Sequence, residues 1–203
     1  MKIEIQSGNR PILTEVINRT DFSSLATIDT IEIRDEIDTE KDSFDLCVRI
    51  VVDGFREVHY FINDNFHGLQ DLAILLIEET ETLFIGGKSN SIVVDLIEGK
   101  TKDEFQHFLF WGFRISSNGQ YILDEGETDC LLRDKSGKIL NQVDVEPPYE
   151  AQDVENGVKY ICDGITGEVI LEFNEKPITK PKRHYPSTSS GRSLTKRVTH
   201  KKL

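Results

Sequence analysis

Asp95, Glu98 and Lys100 come nearest in this chain to residues spaced for chemistry. They close the apolar run at residues 91–97 (SIVVDLI), and an acidic residue followed by x-lysine resembles half of a metal-dependent nuclease or hydrolase site. Such a site needs carboxylates converging on a divalent cation and a lysine beside the attacking water. Asp64 is the one further carboxylate placed to approach them, and the metal-dependent enzyme is therefore the alternative reading of the chain rather than the leading one.

A second candidate is Gly86-Gly87-Lys88-Ser89, which looks like the end of a phosphate-binding loop. That loop requires a further glycine where Thr82 stands and a helix after it, whose N-terminus meets the phosphate. The order here reads as helix, loop, strand, so Gly86-Gly87 is expected to stop a helix. His59, His67 and His107 show no HxH or HExxH spacing, and no GxSxG elbow is present. Cys47, Cys130 and Cys162 are an odd number without CxxC spacing, each in an apolar run, so they read as buried reduced thiols. No cofactor or metal is called for.

Charge is the strongest compositional signal. Residues 175–203 hold nine of the 24 Lys and Arg but one of the 36 Asp and Glu, leaving residues 1–174 with 15 basic and 35 acidic side chains, a balance of −20. A field of that sign repels nucleic acid and favours encounter with a basic protein. The expected partner-binding carboxylates are Asp35, Glu36 and Asp38 on a half-exposed strand, with Glu78, Glu79 and Glu81 at the end of the main helix. Glutamates there oppose the helix dipole, which gives them a claim to a role other than stability. The segment 175–203 reads as a disordered basic tail, in which Lys180, Lys182, Arg183, Arg192, Lys196 and Arg197 could contact phosphate.

The elements that must position these residues follow from periodicity. Residues 64–83 (DNFHGLQDLAILLIEETETL) carry Leu69, Leu72, Ala73, Leu76 and Ile77 at helical spacing and are expected to form the one main helix. Asp53-Gly54 joins two β-branched, aromatic runs and predicts a hairpin. Residues 105–115 (FQHFLFWGFRI) are apolar on both faces and predict an interior strand, with Trp111 more a core residue than a contact one. Asp134 to Ile139 and Asp163 to Val169 are similar turn sequences, taken as two hairpins of a β-rich part spanning 126–174 rather than as a repeat architecture. The expectation is an α+β domain over 1–174, a mostly antiparallel, hairpin-rich sheet packed on one helix, followed by the tail. No run is long enough to span a membrane and the cysteines read as reduced, which together point to the cytoplasm. Oligomeric state is not legible.

The function these features suggest is a non-catalytic protein-binding module that presents an acidic surface to a basic partner. An inhibitor or immunity-type protein against a toxin or nuclease is one form, and a DNA mimic another. A structural component of a larger assembly, with a nucleic-acid-contacting tail, is a further alternative.

Overall fold

The computed structural model describes residues 2–18, 20–21, 30–34, 46–62 and 72–174, and they form strands arranged in four sheets. In chain order the strands are β1 (Ile3–Gln6), β2 (Ile12–Asn18), β3 (Thr30–Arg34), β4 (Leu46–Val52), β5 (Glu57–Ile62), β6 (Leu72–Ile77), β7 (Thr82–Gly87), β8 (Asn90–Asp95), β9 (Lys100–Gln106), β10 (Phe110–Ile115), β11 (Tyr121–Gly126), β12 (Asp129–Asp134), β13 (Ile139–Asp144), β14 (Tyr149–Val154), β15 (Gly157–Cys162) and β16 (Glu168–Glu172). The first sheet runs β2-β4-β5-β3, the central sheet β1-β6-β7-β8-β9, the third β10-β11-β12-β13 and the terminal sheet β14-β15-β16.

The sheets stack face to face, and the side chains show the order. Val48, Ile50, Val58 and Tyr60 of the first sheet share a core with Leu72, Ile74, Leu76, Leu83, Ile85 and Ile92 of the central one. Leu75, Ile77, Phe84 and Val93, on the opposite face of the central sheet, pack with Phe110, Phe113 and Ile122 of the third. Leu123, Cys130 and Leu132, on the far face of the third sheet, meet Val158, Tyr160 and Leu171 of the terminal one. Side chains alternate across a strand, so each inner sheet supplies two cores.

This overturns the α+β expectation. No α-helix occurs among the described residues. Positions 64–71 of the expected helix lie outside them, Leu72–Ile77 is β6, and Glu78–Thr80 is a single 3-10 turn leading into β7. The physical reason is burial on both faces: a strand inside a stack is apolar throughout, and LAILLI then satisfies helical spacing by containing almost nothing else. Gly86 and Gly87 accordingly lie in β7 and stop no helix. A Cβ on Gly86 would stand 2.2 to 2.7 Å from the Phe110 ring, so glycine there lets the third sheet close on the central one.

The hairpin at Asp53-Gly54 joins β4 to β5, with Gly54 at φ +83°. The two similar turns belong to a larger pattern. β6 to β9, β10 to β13 and β14 to β16 are successive up-and-down meanders, and the last turn of each has an aspartate followed by a glycine of positive φ: Asp95 and Gly99 (+65°), Asp134 and Gly137 (+90°), Asp163 and Gly167 (+66°). Gly99 and Gly137 donate their N–H to the carbonyls of Asp95 and Asp134 at 2.9 and 3.0 Å. The resemblance between the two turns is thus part of a threefold repetition of sheets. No helix among the described residues is long and apolar enough to cross a membrane.

Candidate functional site

One cluster of polar side chains is buried where the central and third sheets meet. Ser91 stands on β8, His107 on the crossover between β9 and β10, Asp124 on β11, and Asp129 and Arg133 on β12. Asp124 accepts from Ser91 Oγ at 2.5 Å, from His107 Nε2 at 2.9 Å and from Arg133 Nε at 3.1 Å. His107 Nδ1 is bonded to Asp129, and Ser91 Oγ lies 3.2 Å from Nε2. Arg133 also donates through Nη1 to Asp103 at 2.5 Å and to the Gly137 carbonyl at 2.8 Å.

Serine, histidine and aspartate in this order are the parts of a nucleophilic triad, but their electrostatics are those of a lock. Burial disfavours the imidazolium, yet hydrogen bonds and charge from Asp124 and Asp129 outweigh it and raise the His107 pKa to about 9. A doubly protonated ring donates from both nitrogens and has no lone pair with which to take a proton from Ser91. Burial would raise the Asp124 carboxyl, but His107, Arg133 and Ser91 hold it below its ordinary range. The side chains of His107, Asp124 and Arg133 are 0% exposed and Ser91 is likewise closed off, so no substrate carbonyl reaches the hydroxyl. The cluster joins two sheets by buried, paired charge, with Arg133 Nη2 its one buried nitrogen left without a hydrogen-bond partner among the described residues.

The other candidate residues have structural partners. Asp95 accepts from the Glu98 N–H at 2.9 Å and pairs with Lys102 at 3.2 Å, and the first of these bonds leads the causes that lower its pKa. Glu98 pairs with Lys100 at 2.5 Å, which raises the lysine pKa and opposes any part as a base. The three build the β8–β9 turn. Among the described residues no group of three or more His, Cys, Asp or Glu is arranged to hold a metal ion. The thiols of Cys47, Cys130 and Cys162 are free and buried, and burial pushes those of Cys47 and Cys130 up to about 12.

Of the expected partner-binding carboxylates, Asp35, Glu36 and Asp38 lie outside the described residues, as do the tail cations Lys180, Lys182, Arg183, Arg192, Lys196 and Arg197. Glu78, Glu79 and Glu81 come together at the β6–β7 turn and not at a helix end. Glu78 accepts the Arg10 N–H at 2.7 Å, Glu81 pairs with the Arg10 guanidinium at 2.6 Å, and Glu79 pairs with Lys135 at 2.6 Å.

Among the described residues a further acidic surface lies on the terminal sheet. Residues 144–174 contain eight carboxylates and a single basic residue, Lys159. Asp144, Glu150, Asp153, Glu155, Asp163, Glu168 and Glu172 are exposed. Cross-strand register sets Glu150 beside Ile161 and Ile161 beside Glu168 on the face turned away from the third sheet, with Lys159 and Ile170 paired in the next row. That face ends the stack, and no other sheet among the described residues covers it. The eight-to-one ratio is legible in the sequence, but which of these carboxylates share a face is set by the strand register.

At one end of the third sheet, Phe108, Leu109 and Trp111 are 75%, 42% and 47% exposed. The apolar run expected as one interior strand is broken into β9, a crossover and β10, and Trp111 is half exposed and not a core residue. The register jumps between Phe110, opposite Gly126, and Gly112, opposite Glu125, so Trp111 is the extra residue of a β-bulge. Phe110 and Phe113 both face the inner core, a spacing of three that a regular strand forbids, and the bulge that permits it turns Trp111 outward. Trp111 stacks on Tyr149 at 4.7 Å, and the Tyr149 hydroxyl is anchored to the Gly126 carbonyl at 2.8 Å.

No protein-family profile matches the chain, and no curated protein matches it. Among solved structures it is similar to a protein of unknown function from Bacteroides caccae, with 10% identity, a TM-score of 0.31, and coverage of 71% of this chain and 56% of that one. The chain therefore spans little more than half of that protein's length, and the likeness is too slight to carry an argument about fold or function.

Proposed function

We propose that the protein is a non-catalytic binding module that offers an acidic surface to a basic protein partner. The observation that carries this reading is the terminal sheet, whose outer face sets Glu150, Glu168 and Glu172 among Ile161 and Ile170 with Lys159 as its one cation. Carboxylates interleaved with exposed aliphatic side chains give both a long-range attraction and an apolar contact on arrival. Inhibition of a toxin or nuclease by covering its basic cleft is the form that fits the charge best, and a DNA mimic is the neighbouring form of the same idea.

Affinity capture from the native host, eluted with a salt gradient, tests the reading. A basic protein released as ionic strength rises, and not captured by a chain carrying Glu150→Lys, Glu168→Lys and Glu172→Lys together, is the expected result. A partner retained equally by the reversed chain would overturn it.

A further inference from the structure

The terminal sheet leaves carboxylates without cations of their own. On the other sheets Glu15 and Glu57 share Arg49, Glu81 pairs with Arg10, Glu79 with Lys135 and Glu98 with Lys100. On the terminal sheet the one lysine, Lys159, pairs with Glu168 at 3.2 Å, whereas Glu150, Glu155 and Asp163 are exposed and have no cation partner among the described residues. Glu155 stands in the β14–β15 turn and Asp163 opens the β15–β16 turn, so these charges mark both ends of the outer face on which Glu150 lies.

The chain itself carries the complement. Residues 144–174 hold eight Asp and Glu against one Lys, a balance of −7, and residues 175–203, outside the described ones, hold nine Lys and Arg against one Glu, a balance of +8. The described chain ends at Asn174, two residues after β16, and the Phe173 N–H donates to the Asn156 carbonyl at 2.9 Å, so the chain leaves the sheet beside Glu155. The 29 residues that follow reach up to about 95 Å when extended, and a six-residue strand spans about 20 Å, so all of the outer face is within range. A second copy is the poorer occupant, because two such faces carry the same sign of charge.

We propose that residues 175–203 are the resident occupant of the terminal sheet's outer face, lying across it from Asn174 toward Glu150, and that they compete there with a basic partner. Single exposed ion pairs are weak, but a tether holds these cations at an effective concentration on the order of millimolar, and a free partner has to displace them. The partner's apparent affinity then falls in proportion to the fraction of molecules whose face is open. The competition rests on the acidic-surface reading; the contact itself does not.

Carbodiimide cross-linking of the full chain at low salt tests the contact, because it joins a lysine amine to a carboxylate only where the two touch. Mixing unlabelled and isotope-labelled chains separates links within one copy from links between copies. The Lys135–Glu79 and Lys100–Glu98 pairs, at 2.6 and 2.5 Å, are internal controls that the sheets are intact. The expected result is links within one copy from Lys180, Lys182 and Lys196 to Glu150, Glu155 or Asp163, which fall about fivefold or more relative to the controls as salt is raised. Tail links spread evenly over the exposed carboxylates of all four sheets, links only between copies, or no tail links would each overturn the inference. Calorimetric titration with a lysine octapeptide reads the competition. The peptide should bind about fivefold or more tightly to a full-length chain carrying Lys180→Gln, Lys182→Gln, Arg183→Gln, Arg192→Gln, Lys196→Gln and Arg197→Gln than to wild type. Equal affinity for these two chains, lost on reversal of Glu150, Glu168 and Glu172 to lysine, would overturn the competition and leave the acidic reading standing. Tail links in place, with a peptide affinity unmoved by that reversal, would overturn the acidic reading and leave the contact standing.

Discussion

Arg133 donates from Nε to Asp124 at 3.1 Å, with both side chains wholly shut off from solvent between the central and third sheets. Among the described residues Asp124 is the only carboxylate that touches Ser91, His107 and Arg133 together. Neutralising it leaves two buried cations facing one another. Asp124→Asn is therefore expected to destabilise the protein by about 3–5 kcal/mol, the usual cost of removing one partner from a buried pair. Urea unfolding of wild type and variant measures this, and a loss below about 1 kcal/mol would mean that water reaches the cluster.

The same cluster predicts a pH dependence. The folded pKa of His107, about 9, lies above the ordinary 6.5, so the stability it contributes is complete below pH 6.5 and is lost as pH rises through about 9. The size is on the order of 3 kcal/mol. Asp124 acts in the opposite sense: its lowered pKa contributes stability above the ordinary carboxylate range, which is lost as pH falls through the folded value. Unfolding free energies from pH 5 to 10 should decline on the alkaline side in wild type, and His107→Gln should flatten that decline.

The repeated turns make a comparative prediction. Gly137 and Gly167 both have positive φ, but a Cβ on Gly137 would stand 2.2 Å from Val93 Cγ1 of the central sheet, whereas nothing lies within 4 Å of Gly167. Gly167→Ala should cost about 1–2 kcal/mol, the left-handed penalty alone. Gly137→Ala should cost about 1–3 kcal/mol more, and Val93→Ala in the same chain should recover part of that excess. Thermal unfolding of the three variants distinguishes the two contributions.

What the sequence makes legible follows from the range of each interaction. Asp53-Gly54 specifies its hairpin because the requirement for positive φ is local. Leu72 to Ile77 misleads because its two faces are buried by two different sheets, and period is informative only when one face is wet. The His107 cluster draws residues from β8, β11, β12 and a crossover, and no local pattern records that meeting. Its trace in the sequence is slight: Ser91 stands just before IVV and Arg133 just after LL, each at the edge of an apolar run. Glu78, Glu79 and Glu81 drew attention through a helix dipole that does not exist there. Their cations, Arg10 and Lys135, come from distant segments.

The acidic face also predicts a kinetic signature. Triple reversal of Glu150, Glu168 and Glu172 to lysine should reduce the on-rate for the partner and weaken its salt dependence, while the off-rate changes less, as stopped-flow association at several ionic strengths would show.

The most direct test of the binding account is the dissociation constant of the captured host partner, measured against salt for the wild-type chain and for the chain with Glu150, Glu168 and Glu172 reversed to lysine. The account predicts a wild-type affinity that falls steeply as salt rises, and a reversed chain that binds at least about tenfold more weakly at low salt with little further dependence. Equal constants for the two chains across the salt range would contradict it.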